Sequence, residues 1–101
     1  MAIAVHTTSD GKAVTIDISG RFDFSMHREF RQVYEQDHAG ATRYILNLRQ
    51  TEYMDSSALG MLLLLREHAG GDRANIKIVQ CTPEVKKILT IANFHQLFCL
   101  D

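Results

Sequence analysis

Residues 44–65 constrain this chain most. Tyr44-Ile45-Leu46-Asn47-Leu48 is followed by Glu52-Tyr53-Met54-Asp55-Ser56-Ser57-Ala58-Leu59-Gly60 and then by Met61-Leu62-Leu63-Leu64-Leu65. The order predicts a buried strand, a short connection, and a helix whose first turn is built from Asp55, Ser56 and Ser57. Side-chain oxygens of Ser, Thr and Asp favour that position because they accept hydrogen bonds from amides the helix cannot itself satisfy. The same amides and the helix dipole accommodate a phosphate group. A serine hydroxyl at the end of a rigid strand is therefore well placed as a switch.

The flanking segments follow from periodicity. Residues 3–7 and 13–19 read as strands either side of Ser9-Asp10-Gly11-Lys12, with Val14, Ile16 and Ile18 alternating with polar residues. An Asp-Gly between two such runs signals a hairpin. Gly20 to Ser25 interrupts the pattern. From Ser25 or Met26 helical spacing takes over, with Met26, Phe30, Val33, Tyr34 and Asp37 on one side, Ser25 as cap, and a stop near His38-Ala39-Gly40. Gly70-Gly71 ends the helix that begins at the serines. Ile76 to Val79 forms a strand, Thr82-Pro83 starts a helix whose inner face is Val85, Ile88, Leu89 and Ala92, and residues 96–100 close as a short strand. This order predicts an α/β fold, with a mixed, mostly parallel β-sheet packed with three to four α-helices in one domain over residues 1–101.

Composition removes several function classes. With 101 residues and 46% hydrophobic side chains, one core is the natural outcome. Lys and Arg number 11 against 12 Asp and Glu, a net charge of -1, which provides no footprint for direct nucleic-acid binding. No basic segment followed by a long apolar run opens the sequence, and residues 61–65 fall far short of the roughly 20 needed to span a bilayer. A cytoplasmic protein without membrane insertion is expected. Cys81 and Cys99 have no metal-ligand spacing and are expected as buried thiols. The five histidines, His6, His27, His38, His68 and His95, form no metal or Ser/His/Asp pattern, so neither metal nor cofactor is called for.

On the helix after the serines, Ala58, Leu59, Leu62, Leu65 and Ala69 are predicted to face inward, with Leu63 at the edge. Ser57, Gly60, Leu64 and His68 fall opposite. Leu64 is then an apolar residue where solvent is expected, covered either by a neighbouring element or by a partner. Met61 beside it suits an adaptable interface, and Gly60 permits close approach.

The run Asn47-Leu48 followed by Met54-Asp55-Ser56-Ser57-Ala58-Leu59-Gly60 resembles the phosphorylation motif of bacterial anti-sigma factor antagonists, the single-domain members of the STAS family. Gly20-Arg21-Phe22-Asp23 is similar to that family's second signature, Gly-x-hydrophobic-Asp after an early strand. The resemblance implies a STAS domain with no catalytic residue of its own. It also implies that Ser56 is the phosphoacceptor and that Asp23 contacts the partner; with the helix face read above, the expected contact residues are Phe22, Asp23, Asp55, Ser57, Gly60, Met61 and Leu64. Unphosphorylated, such a protein binds an anti-sigma factor; a serine kinase, often the anti-sigma factor itself, inactivates it, and a serine phosphatase restores it. A monomer is expected in isolation. Three positions depart from the family pattern: Leu64 where a small residue is common, Ala58 for Gly, and Arg21 for Glu. The residues also fit blander roles, with Ser56 a plain N-cap and Asp55 an acid stabilised by the helix terminus. A second functional class is a STAS regulatory or structural subunit of a membrane transporter or other signalling assembly. An enzyme using Ser56 as nucleophile ranks last, since no general base can be named.

Overall fold

The structure, a computed structural model, describes residues 3–35 and 43–100. The alternating run after Gly11 extends into strand β2 (Ala13–Phe22), which pairs antiparallel with β1 (Ile3–Thr7). The turn between them closes on Asp10, whose Oδ1 accepts from the Thr8 hydroxyl at 2.6 Å and the Lys12 amide at 3.0 Å, while Gly11 adopts φ 72°. Strand β3 (Arg43–Met54) lies parallel to β2, followed by β4 (Ile76–Val79) and β5 (Cys99–Leu100) in the order β1-β2-β3-β4-β5. The parallel neighbours are connected through α1 (His27–Glu35), α2 (Ser56–His68) and α3 (Pro83–Ile91).

Alternation divides the sheet into two unlike faces. Val14, Ile16, Ile18, Leu46, Leu48 and Ile78 are sealed in one core with Phe30, Leu62, Leu65, Val85 and Leu89 of the helices. The intervening Thr15, Asp17, Ile45, Asn47, Lys77 and Val79 keep partial exposure, so among the described residues no helix seals the opposite face. An aromatic series ties the layers together. The Phe22 ring lies 5.3 Å from Phe30, Phe30 meets Tyr34 edge-on at 5.8 Å, and Tyr34 packs on His68 at 5.1 Å.

Several expectations are corrected. Strand β2 does not end at Ser19: Gly20, at φ 80°, carries the chain through an irregular register to Phe22, and β3 runs beyond Leu48 to Met54. At that irregularity the buried Thr51 hydroxyl donates to the Ile18 carbonyl at 2.8 Å, which lets a polar residue sit inside the sheet. The helical region opens with a 3-10 turn (Phe24–Met26) capped by Asp23, not Ser25. Asp37 and the stop at His38-Ala39-Gly40 lie outside the described residues. Residues 94–96 form a 3-10 turn, leaving β5 only two residues. The expectation of buried thiols fails at Cys99, which is exposed because β5 is short and an edge strand; Cys81 is half-buried. Thr82 caps α3 through the Val85 amide, as its position ahead of Pro83 predicts.

Candidate functional site

The parallel register sets Phe22 of β2 beside Met54 of β3, and the Asp55 amide donates to the Phe22 carbonyl at 3.4 Å. Both side chains are buried, so both strands end at fixed points on the same rim. Each strand then turns into a helical segment by the same device. Asp23 Oδ1 accepts from the Ser25 hydroxyl at 2.6 Å and the Ser25 amide at 3.0 Å. Asp55 Oδ1 accepts from the Ser57 hydroxyl at 2.6 Å and the Ala58 amide at 2.9 Å, which makes it the N-cap of α2. Two Asp-x-Ser turns therefore lie side by side.

These bonds fix the charge of the rim. The Ser25 hydroxyl, reinforced by the Ser25 amide, holds the Asp23 carboxyl below its ordinary 3.8, against the repulsion of Asp55. The Ser57 hydroxyl, with the Ala58 amide, does the same for Asp55. Arg21 offsets some of this charge, its Nε 3.7 Å from Asp23 Oδ2 and its guanidinium 4.7 Å from the centre of the Tyr53 ring.

The middle residue of each turn faces outward. In the second turn it is Ser56, exposed at the first position of α2, and among the described residues none engages its hydroxyl. Ser57 is half-buried and its hydroxyl is committed to Asp55. In the first turn the middle residue is Phe24, 68% exposed and stacked on His27, with centroids 5.3 Å apart. From Ser56 the solvent face of α2 continues through Gly60, Leu63 and Leu64, the last 51% exposed. A Cβ added at Gly60 would meet no atom within 4 Å, so its smallness serves no internal packing.

Of the residues expected here, the structure brings Asp23, Asp55, Ser56, Ser57, Gly60 and Leu64 to one rim and ridge. Two are corrected. Phe22 is 0% exposed and packs on Phe30, and Met61 belongs to the buried stripe with Ala58, Leu62 and Leu65, so neither side chain is available to a partner. Leu59 is only half-buried, and Leu63 is exposed instead of flanking the inner stripe. Phe24 and Tyr53 join the rim unannounced by any motif of their own, although Asp-x-Ser recurs at 23–25 and 55–57 and marks Phe24, like Ser56, as outward. Among the described residues no cluster of His, Cys, Asp or Glu could hold a metal ion, and no helix is long and apolar enough to cross a membrane.

A parallel-rich sheet with helices against one face, and a capped serine where the third strand meets its helix, define a small α/β domain of the STAS class. The chain belongs to the family described as Mlab, STAS domain, which it matches over residues 5–100. It is 55% identical over 98 residues to a STAS-domain containing protein of Pseudomonas aeruginosa (strain UCBPP-PA14), covering 97% of each chain. Its fold is similar to that of an anti-sigma factor antagonist from Mycobacterium paratuberculosis, with a TM-score of 0.78 at 16% identity over 97% of this chain and 82% of that one. It is also similar to the phosphorylated form of the Bacillus cell fate determinant SpoIIAA, with a TM-score of 0.69 at 16% identity over 99% and 91%. At such identity the two structures speak for the fold alone.

Proposed function

We infer that this domain is a phosphorylation-switched protein-binding module of the anti-sigma factor antagonist type. Unphosphorylated at Ser56, it binds an anti-sigma factor and so frees a sigma factor; a serine kinase ends that binding and a serine phosphatase restores it. The observation that carries this reading is the division of labour at the start of α2. Asp55 accepts from the Ser57 hydroxyl and from the helix backbone, while Ser56 stands exposed and, among the described residues, none engages its hydroxyl. The cap therefore persists without Ser56, and modification of Ser56 leaves the cap intact.

The expected consequence is electrostatic. A phosphoryl group adds about -1.5 to -2 charges beside two carboxylates already held ionised. The α2 terminus tolerates the addition. A partner packed against a neutral hydroxyl does not, because it meets extra bulk and a dianion whose hydration it must strip.

The test uses the full chain and its Ser56→Ala variant as bait and as kinase substrate. Ser56→Ala is expected to take up no phosphate while retaining the same partner as the unmodified chain. Stoichiometric phosphorylation of Ser56→Ala would reassign the site. Retention of a transporter ATPase subunit in place of an anti-sigma factor would move the function to a transporter assembly.

A further inference from the structure

The geometry points to Phe24 as the anchor by which the kinase that modifies Ser56 takes hold of this domain. This rests on the reading of Ser56 as phosphoacceptor and names the part of the surface that selects its kinase. Phe24 and Ser56 occupy equivalent places in twin turns, Asp23-Phe24-Ser25 and Asp55-Ser56-Ser57, that leave adjacent parallel strands from the paired residues Phe22 and Met54. Adjacent strands run about 4.8 Å apart. A protein that brings a nucleotide to the Ser56 hydroxyl therefore covers Phe24 as it does so.

Among the described residues, no core packing explains an aromatic at Phe24. It is 68% exposed, its ring contact is the neighbouring His27, and the turn it sits in is tied by Asp23 and Ser25. An exposed aromatic ring, held rigidly beside a polar target, is the arrangement that dominates interface energetics when a partner supplies an apolar socket. The two ionised carboxylates beside it add a charge the partner must meet. The occupant is thus a nucleotide-bearing protein with an apolar socket for one ring and basic groups at the socket edge.

Ile91 provides an internal contrast. It is 73% exposed, but it ends α3, which follows β4, and β4 stops beside Asn47 of β3, well short of the Met54 end from which α2 leaves. An effect of general surface hydrophobicity would follow Ile91 as readily as Phe24; an anchor beside Ser56 would not.

Competition decides the matter without a purified kinase. Full-length unmodified chain, Phe24→Ala, Phe24→Leu and Ile91→Ala are mixed in equal amounts with ATP and soluble extract of the source cell, and Ser56 phosphate is quantified on each by mass spectrometry. The ratio of initial rates is the ratio of kcat/KM values. Phe24→Ala is expected to fall by at least about tenfold, a loss typical of an interface anchor. Phe24→Leu should recover most of that loss, Ile91→Ala should match the unmodified chain, and all four should keep the same melting temperature. Equal rates for Phe24→Ala and the unmodified chain would overturn the anchor while leaving Ser56 as the acceptor. A rate loss that merely tracks a loss of folded fraction would also overturn it. Absence of phosphate on Ser56 in every chain would overturn the switch and the anchor together.

Discussion

The Asp55 carboxylate both caps α2 and occupies the hydroxyl of Ser57, the residue next to Ser56. Because the Ser57 hydroxyl and the Ala58 amide favour the charged form, its folded pKa lies below the ordinary 3.8. For an acid with a depressed folded pKa, the stabilising contribution is fully present above the unfolded value and disappears as pH falls through the folded one. Carboxyl NMR titration should therefore find Asp55 below 3.8. In Ser57→Ala the value should move up toward 3.8, without returning fully, since the Ala58 amide still donates. An Asp55 that titrates at its ordinary value in the unmodified chain would mean that its bond does not hold the Ser57 hydroxyl. The same scale explains two residues that sequence misplaced. Phe22 was placed at the contact surface by the resemblance of Gly20-Arg21-Phe22-Asp23, yet it keeps the buried parity of Val14, Ile16 and Ile18, since the register irregularities insert their extra residues into β3. Met61 opens five consecutive apolar residues, and a run without polar markers does not phase a helix.

At the scale of elements, α2 carries the consequence. Its inner stripe of Ala58, Met61, Leu62 and Leu65 is sealed, whereas Ser56, Gly60, Leu63 and Leu64 form a ridge that no described element covers. Glycine inside a helix costs roughly 0.5–1 kcal/mol relative to alanine. Space around Gly60 is open, so Gly60→Ala should raise stability by about that amount in urea denaturation while weakening partner retention. Leu64→Lys should likewise lose the partner with its melting temperature nearly unchanged; a drop of many degrees would make Leu64 part of the core. Elements with strong local signals were legible in the sequence: the hairpin at Asp10-Gly11, the Thr82-Pro83 helix start, and the start of α2, although its N-cap is Asp55 and not Ser56. The continuation of β3 through Arg49-Gln50-Thr51-Glu52 was not legible, because those residues are polar and their strand state depends on pairing with a distant partner, residues 19–22 of β2. The start of the first helical segment was misread for a related reason: Asp23 outcompetes Ser25 as cap by accepting from it.

The whole molecule separates a rigid scaffold from the rim it presents. Phe22 and Met54 anchor the strand ends, and the Phe22-Phe30-Tyr34 series joins β2 to α1 within the core, with the exposed His68 of α2 packed on Tyr34. Protein interiors packed this way transmit strain, but a charge added at an exposed hydroxyl with no bond to break imposes none on them. Eviction of a partner by phosphorylation then requires no change of fold, only a change of surface. In Ser56→Asp, and in the phosphorylated chain, amide chemical shifts should move at residues 22–25 and 53–60 and stay fixed along β4 and α3, with the thermal transition retained. Binding should weaken in Ser56→Asp and disappear in the phosphorylated chain, because a single carboxylate has less charge and bulk than a phosphate dianion. Shifts spreading through Ile78, Val85 and Leu89 would mean that the switch works through the core, and the surface account would give way to a conformational one.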